Sequence, residues 1–378
     1  MKILQILPAL GTGGVERGTI EVARALANAG ISNAVASAGG PRVADLDALG
    51  VPHFTLPLAS KNPFTIWRNA ARLAALVRRE GFTILHARSR APAWSAYWAA
   101  RRTGATFLAT YHGVHGISPR CLKIPYNRIM MKGARVIAVS NFVKRHLMEI
   151  YGVPEEKIAR IYRGADTQTF RPDAVAPACA ASLKTRLGFP ADMPVITLPA
   201  RLTRLKGQTV LLEALRRLTF PSPVGCLLVG SDQGRTDYSA ELRAMAASLP
   251  ANRPVVFLDH TDDMPTVYAM SDIVVSATVG HPEAFGRTIP EAQAMGILTV
   301  ATAHGGACET IDDGVTGFLV PPGDAAALAA KLDEMLSLPP ERRAAIRAAA
   351  LASVRANFST ERMCAETIAL YRALDAHV

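Results

Sequence analysis

The sequence predicts an α/β protein with two doubly wound domains in tandem, each a parallel sheet covered by helices on both faces. Its 378 residues suggest two domains at roughly 150 residues each. Strand-like and helix-like segments alternate almost throughout, and the alternation restarts after a Pro- and Ala-rich break at 171–194. An apolar content of 49% and a charged content of 19% allow each half a sizeable core.

The first half begins with KILQILP, which is typical of a buried strand. A glycine turn and a helical run from Glu16 to about Gly30 follow, and ISNAVASAG is strand-like. A helix near 65–80 precedes the strand FTILHARS, and another helix precedes ATFLATYHG. The strand ARVIAVS then leads into the helix NFVKRHLMEIYG. Strands that alternate with helices in this way favour a parallel sheet.

The second half follows a linker that we place at about 165–180, so the predicted domains are 1–170 and 171–358. Its strands are VITLPAR, VGCLLVGS, PVVFLDH, DIVVSAT, LTVATA and GFLVPPGD. Helices at 207–219, 238–248 and 264–270 separate them, with another that includes Pro290. Asp262 and Asp263 indicate the start of the third. The last segment, about 359–378, is helical and could cap the second half or cross back to the first.

Composition excludes several classes of protein. The five cysteines form no CxxC pair and no metal-ligand spacing, which favours reduced thiols in a cytoplasmic protein. The apolar run at the N-terminus is too short for a signal peptide, and no run of about 18 apolar residues indicates a membrane span. No metal site is expected.

Charge is unevenly distributed along the chain. The formal net charge is +11, yet residues 1–165 hold 23 Lys and Arg against 8 Asp and Glu, a balance of +15. Such a basic half could face nucleic acid, an anionic membrane or a phosphorylated substrate. Stacking aromatics are few and no nucleic-acid-binding motif occurs, so we expect no nucleic-acid partner. The helix near 65–80 is either a membrane-facing surface or simply a solvated basic helix; its surface residues are predicted to be Arg68, Arg72, Arg78, Arg79, Trp67 and Leu73.

The turn GTGGVERG places Gly11, Gly13 and Gly14 between a strand and a helix. Backbone N–H groups at such a junction can bind phosphate. Glu16 stands where a dinucleotide fingerprint would have its third glycine, so a plain tight turn remains the alternative.

The segment LPARLTRLKGQ brings Arg201, Arg204 and Lys206 to the start of a predicted helix. Three cations at the positive end of a helix dipole are unfavourable unless an anion offsets them. Arginine binds oxyanions with two parallel hydrogen bonds and lysine acts as a point charge, so a diphosphate would suit this segment. The alternative is a solvated basic turn.

Two further segments carry candidate residues. TYHGVHG places His112 and His115 just past a strand, where they are either structural or part of a site.

HPEAFGRTIPEAQAMG, at 281–296, holds Glu283 and Glu291. Thr288 and Glu291 have the spacing of a capping box, which explains the second glutamate as part of a helix start. It does not explain Glu283 or the Phe-Gly step that follows.

Taken together, these segments resemble the retaining GT-B glycosyltransferases of family 4. The resemblance covers almost the whole chain and depends on the order and spacing of GTGGVERG, TYHG, AVSNFVKRHL, PARLTRLKGQ, LLVGS, EAFGRTIPEAQAMG, AHGGACETI and DGVTGFLVPPGD. It implies two Rossmann-like domains that face a cleft, with the last helix returning to the first domain. One departure is YRGAD at 162–166, where Arg163 replaces the asparagine that is common in the family; it adds a positive charge.

The resemblance also implies residue roles. Arg201 and Lys206 would neutralise the donor diphosphate, His112 would face the transferred sugar, and Glu283 would bind its hydroxyls. Glu291 would bind the ribose. The other donor-binding residues implied are Gly13, Gly14, Gly230, Ser231, Ala284, Phe285, Gly286, Arg287 and Thr288.

The implied activity is retaining, metal-independent transfer of a hexose from a UDP- or GDP-sugar to a glycan or glycolipid, in lipopolysaccharide or other cell-envelope glycan synthesis. No cofactor is expected. A protein of this kind could be cytoplasmic or peripheral on the inner membrane face. The alternatives are a sugar-nucleotide epimerase and a non-catalytic nucleotide-sugar-binding protein on the same scaffold.

Overall fold

The computed structural model of the chain describes residues 1–114, 116 and 118–376. The chain divides into two compact units. The first consists of Met1–Arg163 together with the chain from Thr360 onwards, and the second is Gly164–Ser359.

The first unit contains a parallel sheet of seven strands among the described residues. These are β1 (Ile3–Ile6), β2 (Asn33–Ser37), β3 (His53–Thr55), β4 (Ile84–Ala87), β5 (Thr106–Tyr111), β6 (Arg135–Ala138) and β7 (Ile158–Arg160). Their order across the sheet is β3-β2-β1-β4-β5-β6-β7, and every paired neighbour is parallel. The chain direction across the sheet reverses between β1 and β4, and ligands of doubly wound sheets bind beyond the carboxyl ends of strands at such a point.

Helices cover this sheet. They are α1 (Gly14–Asn28), α2 (Val43–Asp47), α3 (Pro63–Glu80), α4 (Arg90–Thr103), α5 (Arg120–Arg128) and α6 (Asn141–Tyr151). The limits of α3 follow from its sequence. Asn62 accepts hydrogen bonds from the N–H groups of Phe64 and Thr65, and Gly81 ends the helix at a φ of 74°.

The second unit contains a parallel sheet of six strands. These are β8 (Val195–Pro199), β9 (Gly225–Val229), β10 (Val255–Leu258), β11 (Ile273–Ser276), β12 (Leu298–Thr302) and β13 (Phe318–Val320). Their order is β10-β9-β8-β11-β12-β13, again with parallel neighbours. The strands are almost entirely apolar because both faces of the sheet are covered, which is typical of parallel sheets.

The helices of the second unit are α7 (Pro177–Arg186), α8 (Gln208–Arg217), α9 (Thr236–Ala247), α10 (Met264–Ala269), α11 (Thr288–Ala294), α12 (Ala307–Thr310), α13 (Ala325–Leu336) and α14 (Pro340–Asn357). Asp263 accepts a hydrogen bond from the N–H of Thr266, which confirms the predicted start of α10. Two parallel α/β sheets in tandem confirm the predicted fold class.

The chain crosses between the units differently from the predicted linker. Ala165 pairs with Ser359, and the ring of Phe170 packs on Tyr268 with centroids 5.9 Å apart, so much of the segment expected to be a linker belongs to the second unit. The last helix, α15 (Thr360–Asp375), lies in the first unit. It shares a core with β1 and α1, in which Met363 and Tyr371 are buried.

A buried histidine links α15 to the sheet. His86 lies on β4, where its Nδ1 is 2.5 Å from the Tyr371 hydroxyl and its Nε2 is 2.7 Å from the Thr110 hydroxyl. Burial, and secondarily the charge of Arg88, hold the pKa of His86 well below 6.5. The ring is therefore neutral in the folded protein at neutral pH.

We expect the first unit to lose stability as the pH falls below about 6.5. Below that pH His86 gains a proton in the unfolded chain but not in the folded protein. The free energy of unfolding therefore falls by about 1.4 kcal/mol for each pH unit, until the pH reaches the pKa of His86 in the folded protein. Denaturant unfolding from pH 8 to pH 5 measures this. His86→Gln should flatten the profile, with a residual slope from His53 and His146, whose pKa values burial also lowers. An unchanged slope in His86→Gln would mean that this histidine does not cause the loss of stability.

Candidate active site

A lysine–glutamate pair lies beyond the carboxyl ends of β8 and β11. Lys206 ends a short 3-10 turn directly before α8, and its Nζ forms an ion pair with Oε1 of Glu283. The two side chains are 25% and 24% exposed, so a ligand can reach both. The hydroxyl of Thr278 donates to the same carboxylate oxygen over 3.5 Å. The structure thus brings together two residues that lie 77 positions apart in the chain.

Gly207 explains how the lysine turn reaches this position. Its φ is 69°, and a Cβ at this residue would collide with the carbonyl of Ala277 just past β11. The N–H of Val279 also donates to the carbonyl of Leu205 over 2.9 Å. Only glycine permits both the left-handed backbone and this close approach, so the turn is fixed against the loop that carries Glu283.

The loop that carries Glu283 is anchored through its backbone. Glu283 forms an isolated parallel bridge with Gly305, and its carbonyl accepts the N–H of Gly306 over 2.7 Å. A Cβ on either glycine would collide with this loop, so the Gly-Gly step of AHGGACETI permits the contact. Phe285 is buried and packs on the ring of Phe358, with centroids 5.9 Å apart. The backbone therefore holds the loop independently of the Glu283 side chain.

The second glutamate is buried and paired. Glu291 is 4% exposed, accepts a hydrogen bond from the Tyr268 hydroxyl at 3.3 Å, and lies 3.5 Å from Nε of Arg287. The predicted capping box is wrong. Arg287 occupies the capping position, so Thr288 lies inside the first turn of α11 and Pro290 is its third residue. Tyr268 and Arg287, rather than a capping box, orient the Glu291 carboxylate.

Arg201 lies past the end of β8 with a fixed backbone and an exposed head group. Its carbonyl accepts Nε2 of the fully buried Gln208 at 3.0 Å, and Gln208 in turn accepts the hydroxyl of Tyr238 at 3.2 Å. The guanidinium donates to Gln233 at 3.4 Å. A weak partner of this kind can be exchanged for a ligand.

The strand end at Gly230 and Ser231 lies beside Arg201. Gly230 has a φ of 143° and approaches the carbonyl of Ala200, and the carbonyl of Ser231 accepts the N–H of Leu202 at 3.0 Å. The N–H of Gly230 donates to the carbonyl of Leu258 at 2.9 Å. The strand end at Gly230 and the end of β10 at Leu258 are therefore neighbours.

Arg204 does not belong with the other two cations. Its guanidinium forms two hydrogen bonds with the Glu241 carboxylate, one of them 3.0 Å long, and lies 5.0 Å from the centre of the Tyr238 ring. A carboxylate of the same unit therefore offsets this charge. Within the second unit Glu241 offsets Arg204 and Glu283 offsets Lys206, so the prediction that three cations need an external anion is wrong; Arg201 donates to the uncharged Gln233.

The remaining candidates lie in the first unit. Gly13 and Gly14 are exposed at the start of α1, and the guanidinium of Arg163 donates to the carbonyl of Gly14. His112 directly follows β5 and is half-buried. His115 lies outside the described residues.

Sequence reasoning missed three residues that support the site: Tyr268, Thr278 and Gln208. Tyr268 and Thr278 contact the two glutamates from separate segments, which no local pattern reveals. A glutamine directly after the Lys-Gly step gave a weak signal, since a fully buried amide at a helix start must satisfy its hydrogen bonds.

No group of three or more His, Cys, Asp or Glu side chains arranged to hold a metal occurs in the part of the chain that the structure describes.

The second unit can therefore offer two cations, the start of α8 and a carboxylate to one ligand. An anion such as a diphosphate suits the cations and the positive end of a helix. A carboxylate that accepts hydrogen bonds suits hydroxyl groups.

Comparisons with known proteins agree with this chemistry. Residues 12–169 match the model of Glycosyltransferase Family 4, and residues 181–352 match that of Glycosyl transferases group 1. A crystal structure of a glycosyltransferase from Rickettsia africae is 40% identical with a TM-score of 0.90, over 98% of both chains. Anabaena Alr3699/HepE in complex with UDP-glucose is 25% identical with a TM-score of 0.83, over 98% of this chain and 99% of that one. A D-inositol 3-phosphate glycosyltransferase of Xylanimonas cellulosilytica is 29% identical, over 91% of this chain and 88% of that protein.

Proposed function

We propose that this chain, which belongs to the group 1 glycosyltransferase family and has the GT-B fold, is a retaining hexosyltransferase that uses a nucleotide diphosphate sugar. The acceptor is a glycan or glycolipid of the cell envelope, lipopolysaccharide among them. The observation that carries the proposal is the ion pair of Glu283 with Lys206, which lies directly before α8, with Arg201 past the end of β8.

The chemistry of the proposal is electrostatic. As the bond between the anomeric carbon and the diphosphate oxygen breaks, positive charge develops on the sugar and negative charge on the leaving group. Lys206 and Arg201 stabilise the diphosphate, and the start of α8 adds to their effect. Glu283 accepts hydrogen bonds from sugar hydroxyls and so fixes the ring against these cations. Two protein cations at the leaving group take the place of a metal ion.

Retention follows from attack on the same face that the diphosphate leaves. The acceptor hydroxyl oxygen forms the new bond to the anomeric carbon as the old C–O bond breaks, and its proton passes to a diphosphate oxygen. Gly13 and Gly14 supply backbone N–H groups to the diphosphate, His112 faces the sugar, and Glu291 accepts the ribose hydroxyls. Ser231 and Gly230 lie near the base, and residues 284–288 line the sugar.

UDP is the favoured donor nucleotide because the Anabaena relative was solved with UDP-glucose, and GDP is the second candidate. The test is transfer from UDP-, GDP- and ADP-sugars, with the anomeric configuration of the product followed by NMR. A retained linkage to an added acceptor supports the proposal. A changed sugar without acceptor would indicate an epimerase, and donor binding without turnover would indicate a non-catalytic binding protein.

The acceptor side of the proposal depends on the surface of α3. Phe64 and Trp67 are 63% and 59% exposed and stack with centroids 6.2 Å apart, and Arg68 lies over the Phe64 ring. Arg72, Arg78 and Arg79 follow on the same exposed side. Leu73 is fully buried, so its predicted place on this surface is wrong. Aromatic rings beside arginines suit the headgroup region of an anionic membrane, so we place the protein on its inner face.

No helix in the described ranges is long and apolar enough to cross a bilayer. We expect binding to anionic vesicles that weakens about tenfold or more between low and physiological salt, since each Arg near the surface contributes about 1 kcal/mol. Replacing Phe64 and Trp67 with Ser, or Arg68 and Arg72 with Ala, should abolish it in a vesicle sedimentation assay.

The control is Leu205→Ser, which removes an exposed apolar side chain from the second unit. It should leave vesicle binding intact. Vesicle binding that does not weaken as the salt concentration rises would count against membrane docking. So would binding that persists when Phe64 and Trp67 are replaced.

A further inference from the structure

Arg163 is buried under the glycine turn of the first unit. Only 7% of the residue is exposed, and its Nη2 donates a hydrogen bond to the carbonyl oxygen of Gly14, the first residue of α1. Arg163 is also the last residue of the first unit before the chain enters the second at Gly164. The residue that departs from the family pattern therefore supports the turn from within rather than adding a solvated charge.

The shape of α1 is adapted to this guanidinium. Gly18 lies one turn after Gly14 on the same helix, and a Cβ at Gly18 would collide with both terminal nitrogens of Arg163. Gly18 has an ordinary helical backbone, so its lack of a side chain is not needed for conformation. Glycine in a helix costs about 1 kcal/mol relative to alanine, and here it provides the space that the guanidinium occupies.

Arg163 is one of several charged groups that act on the buried Cys364 thiol. The buried Cys364 thiol on α15 has its pKa raised to about 12, mainly by burial; Glu21 raises it further, whereas Arg88 and Arg163 lower it. These groups therefore surround one thiol. The guanidinium of Arg163 contacts the turn directly at the Gly14 carbonyl, and Gly13 and Gly14 are exposed, so its positive charge favours an anion at this surface.

We propose that Arg163 is a positioning residue for donor binding, which holds the Gly13–Gly14 turn in shape and gives it a positive potential toward a nucleotide diphosphate. This rests on the proposed function, because the diphosphate is the anion that the turn would bind. An asparagine at this position would be shorter and neutral, so it could supply neither the same hydrogen bond nor the charge.

The first test is steady-state kinetics on Arg163→Asn with the nucleotide sugar varied. The donor KM should rise about tenfold or more with kcat nearly unchanged, since a hydrogen bond from a charged group is lost at a turn that binds ground state and transition state alike. The donor KM of Arg163→Lys should lie between those of the wild type and Arg163→Asn, because lysine keeps the charge but lacks the several N–H donors of the guanidinium.

Gly18→Ala provides a matched variant that leaves Arg163 in the sequence. Its Cβ displaces the guanidinium, so the donor KM should rise as it does in Arg163→Asn. In the double variant the Cβ enters space that the arginine has left, so Gly18→Ala should raise the KM no further. Independent, multiplying effects in the double variant, or a normal donor KM in Arg163→Asn, would overturn the proposal.

A measurement without turnover separates this proposal from the proposed function. Hydrogen exchange of peptides covering residues 11–18 should speed up in Arg163→Asn and in Gly18→Ala, while peptides of β9 in the second unit stay at the wild-type rate. If the wild type transfers no sugar but the turn loosens as stated, the proposed function fails and the support of the turn by Arg163 stands. Unchanged exchange in the turn overturns the support itself, and faster exchange in β9 as well would show general destabilisation instead.

Discussion

Lys206→Ala is expected to lower sugar-transfer turnover by about 10²–10³-fold while the protein remains folded. A preorganised charge aimed at the atom where negative charge develops contributes about this much in other sites. Lys206 is directed to one place by its turn, because Gly207 and the Leu205–Val279 hydrogen bond fix the backbone on both sides. Its side chain is partly exposed, so its removal leaves no cavity in the core.

The matched control is Arg204→Ala, two residues earlier on the same turn. It removes the same unit of charge, but Arg204 is paired with Glu241 and lies over Tyr238. If the turn acted only through its overall charge, both variants would lose activity alike. We expect Arg204→Ala to keep turnover within a fewfold of wild type in the same donor and acceptor assay. Near-normal turnover in Lys206→Ala would remove the lysine from the mechanism.

The fold was largely predictable because each half alternates strand and helix patterns strictly enough to determine a parallel sheet. The ends of elements were less predictable. A capping box would make Thr288 the last residue before α11, but α11 includes Thr288 as its first residue. The loop reaches the helix through Gly286, whose φ is 78°. Local spacing matched a capping box, but it could not show that the loop before the helix is bridged to Gly305.

The charged residues of the candidate site could be proposed from the sequence, but the residues that contact them could not. Arg201 and Lys206 follow the end of β8, which a strand–helix pattern reveals, whereas Glu283 was implied by the family resemblance. The Tyr268–Glu291 contact and the burial of Arg163 depend on tertiary packing between segments of unrelated sequence. Leu73 shows the same limit on a helix: residues 72 and 73 are neighbours in sequence, but one is exposed and the other is in the core.

Glu283→Ala and Glu283→Gln are both expected to lower turnover by about 10²-fold or more, since the sugar loses a charged acceptor that holds it against the leaving-group cations. The loop should keep its position, because its bridge to Gly305 and Gly306 uses backbone atoms only. Binding of UDP alone, measured by calorimetry, should be retained or become tighter, since Lys206 no longer has to leave a carboxylate to meet a phosphate. A variant that loses UDP binding would place Glu283 at the nucleotide instead.

The Lys206→Ala/Glu283→Ala double variant tests whether the pair acts as one unit. In the absence of a ligand each side chain is the other's ionic partner, so either single variant leaves one charge without its counterpart. Residues that act on the same bond are strongly non-additive in catalysis. The double variant should therefore lose much less than the product of the two single losses. A multiplicative loss would mean that Lys206 and Glu283 contribute to separate steps, and the ion pair between them would then have no part in catalysis.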